Sequence, residues 1–409
     1  MAKIKEIRII RTRRDTSWTI VKVVTDQPGL YGIGSASDIF NPKAVIAVIE
    51  ELLAPMLIGQ DAGHIEDIWQ QMHQSGYWRS GSALSTAMGG IDMALWDIKG
   101  KEANMPVYKL LGGPCRAAVP CYAHAAGNSY EELEADVQRY LDEGYRVIRC
   151  QLGAYGGGGF VRAAEAGLPE EAWHGASSQA FDEAAYLDAI PEMFRKLRDK
   201  FGYGVKLTHD VHEHLTPTAA VALSKLLEPY RLFFLEDVLP PDQIGWFANI
   251  RKQSTTPQAI GELFTNPHEW VPLIKDRLID FIRVRVSKAG GITQCRKIAA
   301  LGEAFGVRTA WQEGGDNDPV NQAAAMHLDL AIWNFGIQEE NHFRAEELAA
   351  FPGHAVLKGG YLYANDKPGL GIDIDEEKAE ALVEDQWRNG NYHNPYPIDR
   401  QADGTIVRP

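Results

Sequence analysis

The chain has 409 residues, 45% of them hydrophobic and 23% charged, a balance that leaves room for two globular domains and excludes the disordered and fibrous classes. Its formal charge of -14 comes with no basic run beyond the short stretch Arg11–Arg14, which argues against nucleic acid or an anionic membrane as a partner. Four cysteines, at 115, 121, 150 and 295, follow neither a metal-ligand spacing nor a disulfide framework, so a reducing cytoplasm is expected.

The first residues alternate like a strand, without the apolar core and small-residue cleavage site of a signal peptide, and no run of 18 apolar residues follows. Residues 3–37 read as strands turning at Pro28-Gly29, and helical spacing follows over 42–57 and 65–72. A long helix is expected from Ser82 through SALSTAMGGIDMALWDIKGKEA, stopped by the turn Leu110-Leu111-Gly112-Gly113-Pro114. From Val119 the pattern changes to short apolar runs separated by helix-length segments: VPCYAHAA, VIRCQL, VKLTHDVH, LFFLEDV, QAIGEL, FIRVRVS, VRTAWQE and NFGIQE. Eight such runs predict parallel strands with crossover helices, an α/β fold of the (β/α)-barrel type. Between Gly153 and Gly204 the connection is too long for a simple crossover and begins with the glycine-rich GAYGGGGF, so a lid over the barrel mouth is expected. That run lacks the Lys-Ser/Thr ending of a phosphate loop. The tail from Asp385 has no clear period and reads as either a mobile end or an ordered wrap.

Three successive apolar runs end in a carboxylate: Asp210 in KLTHD, Glu236 in FFLE and Glu262 in AIGE, each 26 residues after the last. That interval is about one βα unit, so a barrel would set the three on neighbouring strand ends at its C-terminal face. Converging carboxylates repel unless a hard cation neutralises them, and oxygen ligands favour Mg²⁺. His212 lies two residues past Asp210 and shares its inward face if the strand continues, which would bring an imidazole beside the metal. Arg283 and Arg285 share one face of their strand, and inward-pointing arginines need carboxylate partners such as Glu262 or a substrate.

The segment Ala87-Met88-Gly89-Gly90-Ile91-Asp92-Met93-Ala94-Leu95-Trp96-Asp97, with Pro106 and the Leu-Leu-Gly-Gly turn after it, resembles the helix signature of the mandelate racemase and muconate lactonizing branch of the enolase superfamily. Joined to the acid spacing, Asp210-Val211-His212, NFGIQE and KPGLGI, it resembles the mannonate dehydratases and their starvation-sensing-protein relatives over nearly the whole chain. The resemblance implies a modified (β/α)-barrel over 119–365 and an α+β capping domain over 1–118, to which a C-terminal segment, 366–409, returns. It implies one Mg²⁺ per subunit, a small sugar-acid carboxylate as substrate, and a homo-oligomer. It implies abstraction of the α-proton, an enediolate stabilised by Mg²⁺, and loss of a β-hydroxyl with His212 as general acid. Arg149 matches an arginine that supports a tyrosine base about twelve residues on. His124, Arg283 and Glu339 match substrate-pocket or pocket-supporting positions.

This sequence departs from the family in several places. Val161 stands where the tyrosine base is expected, which leaves Tyr155 as the nearby phenol and the third catalytic candidate. The seventh run reads Trp311-Gln312-Glu313-Gly314-Gly315-Asp316 where the family has Trp-His-Gly-Pro-Gly-Asp. Gln312 and Asp316 become the substrate contacts there, and Glu313 is expected to add a negative charge. The tail carries Ile406-Val407-Arg408 in place of a tryptophan, and His214, Arg285 and Lys288 receive no functional role. Three readings follow: an acid-sugar dehydratase; a metal-bearing sugar-acid binding or regulatory protein, or an enzyme of another carboxylate, with little turnover on common acid sugars; and, ranked last for want of a Lys-x-Lys pair on the second strand, a racemase.

Overall fold

Alternating apolar residues at the start of the chain form an antiparallel sheet of three strands, β1 (Ile4–Thr12), β2 (Trp18–Thr25) and β3 (Tyr31–Ser35). The computed structural model describes residues 2–13, 18–157, 160–162, 179–383, 400–401 and 405–407. Its contacts divide the chain into two compact units: the first holds 1–121, 262–271 and 283–394, the second 122–261, 272–282 and 395–409.

In the first unit the helix Ser82–Glu102 packs on this sheet. Glycines make the approach: a Cβ on Gly34 would stand 2.0 Å from the Gly90 carbonyl oxygen, and one on Gly32 2.0 Å from that of Ala94. Ile91, Leu95 and Ile98 of the helix close a core with Val21, Val23, Ile49, Leu53 and Leu57. The helix expected over 42–57 is present with a wide π turn at Val48–Leu53. Both acids of the signature helix serve the fold. Asp92 accepts from Thr293 N at 2.9 Å, at the start of the helix Ile292–Phe305. Asp97 accepts from Ile33 N at 3.0 Å, Leu370 N at 2.8 Å and Lys101 Nζ at 2.7 Å.

The second unit is built on parallel strands that pair in the order β4 (Val119–Gly127), β5 (Val147–Leu152), β8 (Lys206–Asp210), β9 (Phe234–Glu236), β10 (Gln258–Ile260) and β11 (Phe281–Ile282). The intervening β6 (Phe160–Arg162) and β7 (Gln179–Phe181) form an antiparallel hairpin in the long connection after β5. Crossover helices begin where side chains satisfy the first free N–H groups: Ser129, Asp182 and Thr216 each cap one. The rest of the connection in which a lid is expected, 158–159 and 163–178, lies outside the described residues.

Short strands at the last two expected runs, β12 (Arg308–Thr309) and β13 (Gln338–Glu339), belong to the first unit, as does the hairpin of β14 (Val356–Lys358) and β15 (Tyr361–Tyr363). All eight runs are therefore strands, most of them shorter than their apolar stretch. The helix Glu376–Ala381 returns to the first sheet, where Glu376 pairs with Arg8 at 3.1 Å and Lys22 at 2.6 Å. Further along, β16 (Arg400–Gln401) adds to β7 as a third strand of the hairpin, and most of the tail around it lies outside the described residues.

Candidate active site

On β5 the side chains at 149 and 151 point to the same side, and both act on Asp210. Arg149 Nη1 donates to Asp210 Oδ2 and to Glu236 Oε1, each at 3.1 Å, and its Nη2 lies 3.1 Å from His124 Nδ1. Gln151 clamps the Asp210 backbone: its Nε2 donates to the carbonyl at 3.0 Å and its Oε1 accepts from the N–H at 3.2 Å. Asp210 and Glu236 are direct partners in the β8–β9 register, and both carboxylates are buried. Tyr122, two residues before His124 on β4, donates to Glu236 Oε2 at 3.3 Å. Behind Asp210, burial pushes His209 down to about 4, so its neutral ring donates from Nδ1 to Cys150 O and accepts at Nε2 from the Tyr186 hydroxyl, each at 2.8 Å.

The expected continuation of the strand through His212 is not found. β8 ends at Asp210, and the chain turns through positive φ at His212 (53°) and Glu213 (64°), with Glu213 N donating to Asp237 O at 2.7 Å. The turn still delivers the imidazole: His212 Nδ1 stands 3.4 Å from Asp210 Oδ2, and its backbone N–H donates to Oδ1 at 2.8 Å. Tyr155 covers a face of that ring, stacked with centroids 3.9 Å apart and planes 13° from parallel. The Arg149 guanidinium carbon is 5.7 Å from the Tyr155 ring. Val161 sits in β6, paired with Ala180. His214 is buried with its Nδ1 at 3.0 Å from Val211 O and its ring 5.4 Å from Phe181, a packing role.

The first unit gathers the other candidates into one wall. Arg283 donates to Glu339 Oε2 at 2.8 Å and pairs with Glu262 at 3.7 Å. Arg285 donates from Nε to Gln312 Oε1 at 2.7 Å and forms a two-pronged pair with Asp316. Burial works against the Asp316 charge, but the Arg285 guanidinium outweighs it and holds that carboxyl below its ordinary range. Lys288, for which no role was expected, pairs with Asp38, while Arg13 donates to Gly315 O at 2.6 Å. Glu313, expected to add a negative charge, is completely buried, and that burial pushes its carboxyl well above the ordinary range, against the pull of Arg285 and Asn321. Tyr122 and Gln151 were missed from the sequence, although each stands two residues from a named candidate on the same strand.

Asp210 and Glu236 present two buried carboxylates to one guanidinium, a hard oxygen donor set that fits a divalent cation such as Mg²⁺. Among the described residues no group of three His, Cys, Asp or Glu is gathered in metal-holding geometry. Glu262 lies two residues past the end of β10, the strand that pairs with β9. Two family models match the chain: the mandelate racemase / muconate lactonizing enzyme N-terminal domain over residues 6–112 and the enolase C-terminal domain-like model over 132–378. The chain belongs to the mandelate racemase and muconate lactonizing branch of the enolase superfamily. As an enolase-superfamily member it has the modified (β/α)-barrel with an α+β capping domain. It is 66% identical over its full length, and that of the relative, to a D-galactonate dehydratase family member of Paenibacillus sp. (strain JDR-2). It is 40% identical to a D-mannonate dehydratase of Caulobacter vibrioides, with 99% of each chain covered. Among solved structures, an enolase from Pantoea ananatis with bound D-gluconate and Mg superimposes with a TM-score of 0.93 at 44% identity over all of both chains. No helix among the described residues is long and apolar enough to cross a membrane.

Proposed function

We propose that this enolase-superfamily protein is a Mg²⁺-dependent acid-sugar dehydratase, a hydro-lyase that converts a gluconate- or mannonate-type acid to its 2-keto-3-deoxy product. The observation that carries the reading is the assembly of Arg149, Asp210, Glu236 and His212, with Tyr155 stacked on the imidazole. Asp210, Glu236 and Glu262 are the metal ligands in this proposal, supported by their places at or just after the neighbouring strands β8, β9 and β10. Bound there, Mg²⁺ would supply the positive charge opposite the substrate carboxylate that makes its α-proton acidic.

Tyr155, as the phenolate with Arg149 as its counter-charge, takes the α-proton and becomes the phenol. His212, held by Asp210, gives a proton to the departing β-hydroxyl. The Cα–H and Cβ–O bonds break, water leaves, and the enol becomes the 2-keto-3-deoxy acid. His124, Arg283, Gln312, Asp316 and Glu339 contact or support the substrate. A capping domain of 1–118 and 366–409, a barrel of 119–365, a cytoplasmic location and a homo-oligomer complete the proposal.

Two features favour the second reading, a member that binds sugar acids with little turnover: Val161 lies in a hairpin strand in place of a tyrosine base, and Gln312 is engaged by Arg285 where a histidine would be expected. Purified protein with Mg²⁺ is screened against a panel of acid sugars for 2-keto-3-deoxy products. Turnover that His212→Asn abolishes supports the dehydratase; silence across the panel with Mg²⁺ bound favours the binding protein.

A further inference from the structure

The loop that carries Gln312 and Asp316 also carries a carboxyl that touches no base. Glu313 is 0% exposed. Its backbone N–H donates to Glu339 Oε2 at 2.9 Å, and its Oε1 accepts from Asn321 Nδ2 at 2.6 Å. Its Oε2 is buried without a hydrogen-bond partner among the described residues. Asn321 in turn accepts from Ser287 N at 3.0 Å, two residues past Arg285, and donates its own N–H to Asp318 Oδ1 at 3.0 Å. Asp318 is fully occupied by other donors, the hydroxyls of Ser35 and Ser37 and the N–H of Val320. Glu313, through Asn321, therefore ties three segments together: the loop with Gln312, the segment after β11 that carries Arg285 and Ser287, and the helix Pro319–Ala331.

Charge decides which form of Glu313 can do this. The bases of the wall already have acid partners: Arg283 pairs with Glu339, Arg285 with Asp316, Lys288 with Asp38 and Arg13 with Glu347. The charges nearest Glu313 are Arg285, which favours its ionisation, and Asp318 and Glu339, which oppose it. An ionised Glu313 would sit buried with one oxygen unpaired and would add an unbalanced negative charge to a wall meant for an anion.

We propose that Glu313 is a positioning residue that works as an un-ionised acid, fixing the loop of Gln312 and Asp316 without adding a further negative charge to the wall that receives the sugar acid. The statement about the sugar acid rests on the function proposed above; the protonation of Glu313 does not. At alkaline pH the proton leaves, Arg285 is drawn from Asp316, and anion binding weakens. Glu313→Gln keeps the shape and the neutral charge, so it holds the wall at every pH.

The test compares the wild type with Glu313→Gln in three ways. Infrared spectra should show a protonated-carboxylic-acid band in the wild type at neutral pH that the variant lacks. Folding stability followed against pH should fall more steeply in the wild type, by up to tenfold in the equilibrium constant per pH unit between the ordinary carboxylate range and the folded value, because one extra proton is bound in the native state. Binding of D-gluconate in the presence of Mg²⁺ should weaken at alkaline pH in the wild type and stay level in the variant. Identical infrared spectra and parallel stability slopes would overturn the proposal. If the variant fails to fold, Asn321→Ala decides: removing the donor to Glu313 Oε1 should shift one protonated-carboxylic-acid band of the wild type, and an unshifted spectrum overturns the proposal. Should no acid sugar be turned over or bound, the first two measurements still stand, which separates failure of this inference from failure of the dehydratase reading.

Discussion

The imidazole of His212 and the phenol of Tyr155 lie face to face, 3.9 Å between centroids and 13° from parallel, so the two groups assigned opposite proton transfers hold each other in place. Tyr155→Phe keeps the stack and removes only the hydroxyl. We expect kcat to fall by about 10²-fold or more with stability within about 0.5 kcal/mol of wild type. Tyr155→Leu should lose the stack as well, and melting curves with steady-state kinetics separate the two effects. Full activity in Tyr155→Phe would remove the phenol from the mechanism.

Arg149 joins Asp210 and Glu236 through one nitrogen, and all three are buried. Arg149→Gln removes a buried positive charge from beside two carboxylates, and we expect a loss of about 3–5 kcal/mol in stability. Because a cation can take over the neutralisation, added Mg²⁺ should raise the melting temperature of the variant more than that of the wild type. Equal Mg²⁺ shifts in the two proteins would count against these carboxylates as ligands.

Asp92, buried at the start of the helix Ile292–Phe305, is pushed by burial up to about 7, although hydrogen bonds from Thr293 and Ile292 pull the other way. The folded state holds the proton that the unfolded chain releases near 4. Its contribution therefore declines as pH rises from about 4 to 7, by at most about 1.4 kcal/mol per unit, and is level above 7. Asp92→Asn should flatten that part of the stability curve, and chemical denaturation at four pH values within the window checks it.

Gly34 faces the Gly90 carbonyl so closely that a methyl group would stand 2.0 Å from the oxygen. Gly34→Ala must push the helix Ser82–Glu102 off its sheet, because the obstacle is backbone. We expect a cost of about 3 kcal/mol, read as a lower urea midpoint, while Gly29→Ala, with nothing within 4 Å but a φ of 77°, reports backbone strain alone.

The eight strand-forming runs and the signature helix could be read from sequence because periodicity is a local signal. The same rule of two placed Arg283 and Arg285 on one face of a strand, but β11 ends at Ile282 and both lie beyond it, where each meets a carboxylate. It misled at His212, because a strand end is set by the next hydrogen bond, here Glu213 N to Asp237 O, which no local pattern announces. At Glu313 the residue type suggested charge, but burial decides ionisation, and burial depends on segments distant in sequence such as Asn321 and Ser287.

The pairing of Arg400 with Ala180 has a consequence for how the chain is made. The last strand of the hairpin emerges about 220 residues after the one it joins, which at ~5–20 residues per second leaves a wait of tens of seconds. A two-stranded hairpin is marginal by itself, so the segment carrying Phe181, against His214, becomes secure only after the parallel strands have been synthesised. Ribosome-bound chains halted before residue 400 should therefore be cut by protease within this hairpin while β8 and β9 are already protected.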